Sequence, residues 1–359
     1  MPQYFPESPE VMISPSIVHL STGKHLRGGE RQALLLHNGL LENGYKSLLI
    51  CRAKGELSRQ STSSLSAVSW KGEWDASGLM RIITRCKSAS PSIIHCHDAH
   101  SFTHGIIAGS LLRIPVVYTR RVVFPLRNNI VSRWKYGKCR LFIAISKAVA
   151  LQCLRIAGQE RIRIVPDGVE WRKPSLSRAE ARTLLGIPDG CFAIGTVGHF
   201  THEKNLPLIA ALAGALKKEK KDVRIVCIGP YGADLEYPDN MIFTGYKPNA
   251  SDCYAAFDAY ISGSMNEGLG SALIDAVVRD IPAVAVDAGG TRDIFPENRP
   301  LVSFGDESGL ILSVEKMIDN YEQALSDAKE YGIRARAIFS VENMVNKTIE
   351  AYKSVIKGI

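Results

Sequence analysis

The stretch that decides the fold is Ser262-Gly-Ser-Met-Asn-Glu-Gly-Leu-Gly-Ser-Ala-Leu-Ile-Asp-Ala-Val-Val-Arg-Asp-Ile-Pro-Ala-Val-Ala-Val-Asp-Ala-Gly-Gly-Thr291. It reads as a loop, a helix, a buried strand and a second loop containing Gly289-Gly290. Glu267 stands among Gly268, Gly270 and Ser271. A carboxylate is thus set where a helix begins with unpaired N–H donors and where glycine lets backbone approach a ligand. Asp275 lies about two turns further along a regular helix. One acid at the mouth and one in the first turns suit hydroxyl groups, while free amides suit an anion. A sugar nucleotide carries both.

Outward from this stretch the chain alternates strand and helix. Strands are expected at 16–20, 46–51, 91–97, 115–118 and 141–146, with a short one inside 57–70, and helices at 30–43, 74–88 and 99–112. After Arg163-Ile-Val-Pro-Asp-Gly168 a polar, proline-bearing connector carries a helix at 177–185. The alternation then restarts, with strands at 192–197, 223–228, 241–244 and 259–261 and helices at 205–217 and 250–257. A last helix at 341–357 has one apolar stripe through Val341, Met344, Val345, Ile349, Tyr352, Val355 and Ile356. Apolar strands alternating with helices predict parallel sheets covered on both faces, in two doubly wound α/β domains in series.

Composition is that of ordinary globular protein, 45% hydrophobic and 22% charged over 359 residues, and long enough for two domains. There is no run of about 18 apolar residues and no charged-then-apolar leader, so a cytoplasmic chain is expected. The eight cysteines are scattered with no Cys-x-x-Cys pair, which reads as buried free thiols rather than a metal or disulfide framework. The net charge of +8 is unevenly placed. Residues 1–168 hold roughly 23 basic and roughly 10 acidic side chains, leaving the remainder acidic. An anionic membrane surface, a phosphorylated acceptor or a merely solubilising surface suits that half. Nucleic acid is not expected as a partner, since no helix-turn-helix, zinc-finger or RNA-binding signature accompanies the charge.

Ligands of such sheets bind beyond the carboxyl ends of the strands. There, Val197-Gly-His-Phe-Thr-His-Glu-Lys-Asn205 follows a strand and precedes a helix. Gly198 permits close backbone approach, and Lys204 supplies positive charge for a diphosphate; a solvated helix start is the plainer reading of the same residues. His95-Cys-His-Asp-Ala-His100 lies just past another strand, and metal binding is not expected there because no third ligand is evident.

Gly198 and Lys204, Glu267 paired with Asp275, the Gly28-Gly29-Glu30 turn and Ile164-Val-Pro-Asp-Gly-Val169 together resemble the retaining glycosyltransferases of the GT-B fold, family four. The resemblance covers roughly Ile17 to Tyr352. It implies two Rossmann-like domains facing a central cleft: an acceptor-binding domain, 1–168, completed by the C-terminal helix 341–359, and a nucleotide-sugar-binding domain, 169–340. It also implies transfer with retention and no cofactor or metal. By the same resemblance Glu267 holds donor-sugar hydroxyls, Lys204 and the backbone of Gly268, Leu269, Gly270 and Ser271 hold the diphosphate, and Asp275 holds the ribose. Gly28 and Gly29 come near the donor phosphates, as does Gly198, and His97 or His100 faces the donor sugar. Two positions depart from the family pattern: Asp275 is one methylene shorter than the usual glutamate, and His199 stands where an arginine is common, so donor-diphosphate binding there falls to His199 itself when protonated or to Arg292.

The basic segment places Arg120, Arg121, Arg127, Arg133 and Lys135 beside Phe124, Trp134 and Tyr136. Cations with interleaved aromatics suit an anionic glycolipid or headgroup layer at the inner face of the cytoplasmic membrane, and an exposed helix packed by Trp134 is the ordinary alternative. The expected activity is hexose transfer from a nucleotide diphosphate sugar, a UDP-sugar foremost, to a glycolipid or surface polysaccharide such as lipopolysaccharide core. The rivals are a nucleotide-sugar 2-epimerase on the same fold and an inactive nucleotide-sugar-binding protein at the membrane.

Overall fold

A computed structural model describes residues 16–125, 129–219, 221–232 and 236–356. Short, mostly buried runs form twelve strands: β1 (Ser16–Ser21), β2 (Lys46–Arg52), β3 (Leu65–Val68), β4 (Ile93–Cys96), β5 (Val116–Arg120), β6 (Leu141–Ala144), β7 (Ile162–Ile164), β8 (Phe192–Val197), β9 (Val223–Ile228), β10 (Met241–Gly245), β11 (Ala259–Ser262) and β12 (Ala283–Ala285). They make a seven-stranded sheet in the order β3-β2-β1-β4-β5-β6-β7 and a five-stranded sheet in the order β10-β9-β8-β11-β12. The registered pairs are parallel, Ile17 facing Ile93 and His19 facing His95 on β1 and β4, and Ile194 facing Ile225 on β8 and β9. In each sheet the first strand is internal and the order runs away from it in both directions, with β2 and β4 flanking β1 and β9 and β11 flanking β8, the reversal of strand order at which α/β sheets place ligands.

Local chemistry sets where the helices start and stop. Asp98 caps the helix Ala99–Leu112 by accepting from Ser101 N, and Ser146 caps Lys147–Leu154 by accepting from Val149 N. Ser177 and Glu180 form a reciprocal capping box on Arg178–Leu185, which ends on Gly186 at φ +67°. Under the second sheet, Leu212 and Leu216 of the helix Leu206–Lys218 and Leu310 and Val314 of the helix Glu307–Asp319 close on Ile194, Ile225 and Ile261, all buried. Each such side chain contributes on the order of 1.5–3 kcal/mol when fully buried.

The described chain divides into two compact units. One comprises the residues up to Tyr118, Lys138–Leu141 and the end of the last helix from Tyr352; the other comprises Thr119–Gly137 and Phe142–Ala351. All eight cysteines are free and buried, and burial raises the thiols of Cys51 and Cys153 to about 11 and those of Cys86 and Cys227 to about 12. Three helices, Lys147–Leu154, Glu307–Asp319 and Tyr321–Ile338, were not expected from the sequence. The last buries only Ala328, Gly332 and Ala335, so it has no stripe of large apolar residues to announce it. No helix among the described residues is long and apolar enough to cross a membrane.

Candidate functional site

Three loops at the carboxyl edge of the five-stranded sheet build the site. After β8 the backbone turns at Gly198, φ +156°, and a Cβ on Gly229, φ +138° after β9, would fall on the Gly198 carbonyl. The two loops touch backbone to backbone there because Gly229 lacks a side chain, whereas a Cβ on Gly198 would instead meet Lys204 Cε at 3.1 Å. Thr201 to Asn205 then close a short turn, with Lys204 N donating to Thr201 O at 3.0 Å. That turn aims Lys204 at Glu267, and the two side chains form an ion pair. The lysine keeps 27% and the glutamate 16% of its surface exposed, so solvent still reaches both. Met265 N, donating to Glu203 O at 2.8 Å, ties the two loops together beside the pair. His199 is exposed on the same loop.

The Glu267 loop rests on backbone. Gly290 N donates to Glu267 O at 2.9 Å, and Ser146 Oγ donates to Gly268 O at 2.6 Å. A Cβ on Gly289, φ +59°, would land on the Glu267 carbonyl, one on Gly290 on the Gly268 carbonyl, and one on Gly268 on the Arg121 carbonyl. Glycine at these three positions therefore allows Glu267 to be carried on close-packed main chain. Gly270, φ +95°, starts the helix Ser271–Val277, with the Leu269 side chain buried beside it. On that helix Asp275 Oδ1 accepts from Arg279 Nη1 at 2.8 Å. Arg292 is engaged elsewhere, donating to Arg299 O at 2.6 Å and to Asp287 at 3.1 Å, so it does not stand in for the arginine missing at His199.

In the first unit Gly28 and Gly29 open the helix Gly28–Glu42, and Glu30 accepts from Arg27 N at 3.1 Å. A Cβ on Gly28 would meet nothing within 4 Å, so packing does not require glycine there. The two candidate histidines part company. His100 is exposed on the first turn of the helix Ala99–Leu112. His97 is buried, its Nε2 2.9 Å from Nδ1 of His19. The third imidazole that the sequence did not reveal comes from β1: His19, His95 and His97 bring their ligating atoms within 4.8 Å of one another. All three are buried, and His19 Nε2 has no hydrogen-bond partner among the described residues. His95 Nδ1 lies 2.6 Å from Tyr352 Oη, and His37 bridges Ser47 Oγ at 2.6 Å and Ser63 O at 2.9 Å. Burial, reinforced by His95 and His37, holds the His19 pKa well below the usual histidine value, and burial lowers that of His37.

The basic segment is divided by burial. Arg120 is buried at the end of β5 and donates to Phe124 O, while Arg121 Nε binds both oxygens of Asp167 at 3.0 and 3.1 Å. These two cations sit in packing contacts and are not part of an exposed basic face. Burial pushes the Asp167 carboxyl up, against the lowering effect of the adjacent guanidinium. Arg127 lies outside the described residues. Arg133 and Trp134 are exposed and Lys135 half-exposed on the helix Ile130–Lys138, which also exposes Ile130 and Val131.

Two known families match the chain in succession. Residues 26–171 match Glycosyltransferase Family 4, and residues 177–336 match Glycosyl transferases group 1. The chain belongs to the family 4, group 1 glycosyltransferases. A 2-deoxystreptamine glucosyltransferase of Streptomyces kanamyceticus is 26% identical to this glycosyltransferase over 62% of its chain, a match that spans 64% of that relative, just under two thirds of its length. The UDP-Gal:alpha-D-GlcNAc-diphosphoundecaprenol alpha-1,3-galactosyltransferase of Escherichia coli is 22% identical over 85% of this chain and 88% of its own. Among solved structures, Anabaena HepE in complex with UDP-glucose superposes with a TM-score of 0.79 at 18% identity, covering 95% of this chain and all of that one, which makes the fold GT-B.

The sequence did not single out Ser146, Asp167, His19 or Arg279. Only Arg279 had a local signal, since a basic residue four positions after an acid on a helix is within pairing reach.

Proposed function

We propose that this family 4 protein transfers a hexose from a UDP-sugar to a hydroxyl of a lipid-linked or surface glycan, with retention at the anomeric carbon and without a metal. The Lys204–Glu267 ion pair carries the reading: a cation and an acid far apart in sequence meet on glycine loops at the ligand-binding edge of a parallel sheet. In the reaction the bond between the anomeric carbon and the β-phosphate oxygen breaks, and the acceptor oxygen bonds to that carbon from the same face. The acceptor proton passes to the departing diphosphate. Lys204 and the backbone from Gly268 to Ser271 stabilise the charge developing on the diphosphate, and Glu267 leaves the lysine to hold sugar hydroxyls. Asp275 holds the ribose, and the exposed His100 faces the donor sugar in preference to the buried His97. A lipid-linked acceptor is supported by the diphosphoundecaprenol-linked acceptor in the name of the E. coli relative and by the exposed Ile130, Val131 and Trp134 beside Arg133 and Lys135.

The test is calorimetry with UDP followed by turnover of a panel of UDP-hexoses. Glu267→Ala should bind UDP, keep its thermal midpoint and lose transfer by at least about 10²-fold; full turnover in that variant removes Glu267 from the reaction. A second reading, a protein that binds nucleotide sugars without turning them over, is favoured by His199 in place of the family's arginine. It predicts tight UDP binding with no transfer to any acceptor offered.

A further inference from the structure

We propose that Arg279 is a positioning residue for the nucleoside end of the donor, setting the Asp275 carboxylate in the orientation that recognises ribose. The inference rests on the reading of Asp275 as the ribose-binding acid. Arg279 lies just beyond the helix Ser271–Val277, and its Nη1 donates to both the Asp275 carbonyl at 2.7 Å and Asp275 Oδ1 at 2.8 Å. One nitrogen thereby fastens the carboxylate to the backbone of the same residue and restricts its rotamer.

The arginine itself is braced from below. Its guanidinium lies 5.2 Å over the ring of Tyr254, whose hydroxyl donates to Ala272 O at 2.8 Å. Tyr254 stacks in turn on Tyr260, with centroids 5.8 Å apart and planes at 15°, and Tyr260 Oη accepts from Val197 N at 3.3 Å. A column of Arg279, Tyr254 and Tyr260 thus runs from the Asp275 helix to the strand end that leads into Gly198 and Lys204. Burial of both phenols keeps them protonated and uncharged beneath the acids.

Two features distinguish this from ordinary packing. The Arg279 side chain is 6% exposed and that of Asp275 22%, so a buried cation holds a carboxylate that stays partly open to solvent. Arg279 Nε is buried with no hydrogen-bond partner among the described residues, an unfavourable arrangement that the two bonds to Asp275 offset.

The experiment compares affinities for UDP and 2′,3′-dideoxy-UDP by calorimetry in the wild type, Asp275→Ala, Arg279→Met, Arg279→Lys and the Asp275→Ala/Arg279→Met pair. Charge-assisted hydrogen bonds to ribose should give the wild type a preference for UDP on the order of ten- to a hundredfold. Asp275→Ala should abolish that preference, Arg279→Met should reduce it to a similar ratio, and the double variant should lose nothing further. A simple packing role would lower stability and weaken both nucleotides alike, leaving their ratio intact. Should Arg279→Met fail to fold, Arg279→Lys is read in its place, since it keeps the cation and loses the planar stack; a reduced ratio is expected. A wild-type ratio in the Arg279 variants, with the ratio lost in Asp275→Ala, overturns the role of Arg279 alone. A wild-type ratio in Asp275→Ala overturns the ribose assignment and this inference with it.

Discussion

Lys204 and Glu267 satisfy one another before any ligand arrives, and the three glycines under Glu267 give that pair a support with almost no freedom to yield. At Gly290 a methyl group would have to displace the Gly268 carbonyl. Gly290→Ala should therefore destabilise the protein by about 1–3 kcal/mol, the usual cost of overpacking, and this would show as a lower denaturant midpoint at unchanged slope. An unshifted midpoint would mean that the loop moves more easily than its backbone contacts suggest. Lys204 and Glu267 were legible in the sequence because glycines and charges crowd the loops after strands. Arg120 and Arg121 were misread as surface cations for a physical reason: a run of basic residues does not say which of them a strand end carries into the interior. The burial of Arg120 and the Asp167 partner of Arg121 depend on chain contacts far from their own position.

At the scale of elements, the parallel register of β1 and β4 puts His19 beside His95, and the helices Gly28–Glu42 and Val341–Ile356 bring His37 and Tyr352 to the same cluster. Ser47 and Ser63 complete the polar groups around His37. The unfolded chain takes protons on His19 and His37 near the ordinary value of 6.5, while the folded chain holds both neutral below it. The unfolded state then binds more protons, so stability is fully present above about pH 6.5 and is lost as pH falls, by up to about 1.4 kcal/mol per pH unit for each histidine. Urea midpoints at pH 7.5 and 5.5 check this, and equal midpoints would show that the cluster accepts protons without unfolding. The strands and most helices were readable from apolar runs, caps and glycine stops. The helix Tyr321–Ile338 was not, because small residues form its buried face, and the partner of a buried histidine is fixed by sheet register rather than by neighbours in sequence.

For the molecule as a whole, residues 1–168 carry an excess of cations, of which Arg121 is held by Asp167, and the helix Ile130–Lys138 keeps exposed cations next to exposed Ile130, Val131 and Trp134. The protein should cosediment with vesicles containing phosphatidylglycerol, less so at high salt, and not with phosphatidylcholine alone. Replacing Arg133 and Lys135 by glutamine should weaken that binding by about tenfold or more, at about 1 kcal/mol for each cation removed. Binding that ignores lipid charge would point instead to the apolar side chains of this helix.

The buried cysteines have a use that their inertness conceals. Alkylating reagents attack the thiolate, so a thiol that is both enclosed and raised to about 11 or 12 stays unmodified for as long as its surroundings stay closed. Cys51, Cys86, Cys96 and Cys139 lie in the first compact unit and Cys153, Cys191, Cys227 and Cys253 in the second. The chain therefore carries a built-in set of silent reporters in each unit. Timed maleimide labelling read peptide by peptide would follow the opening of each unit separately, with no residue introduced for the purpose.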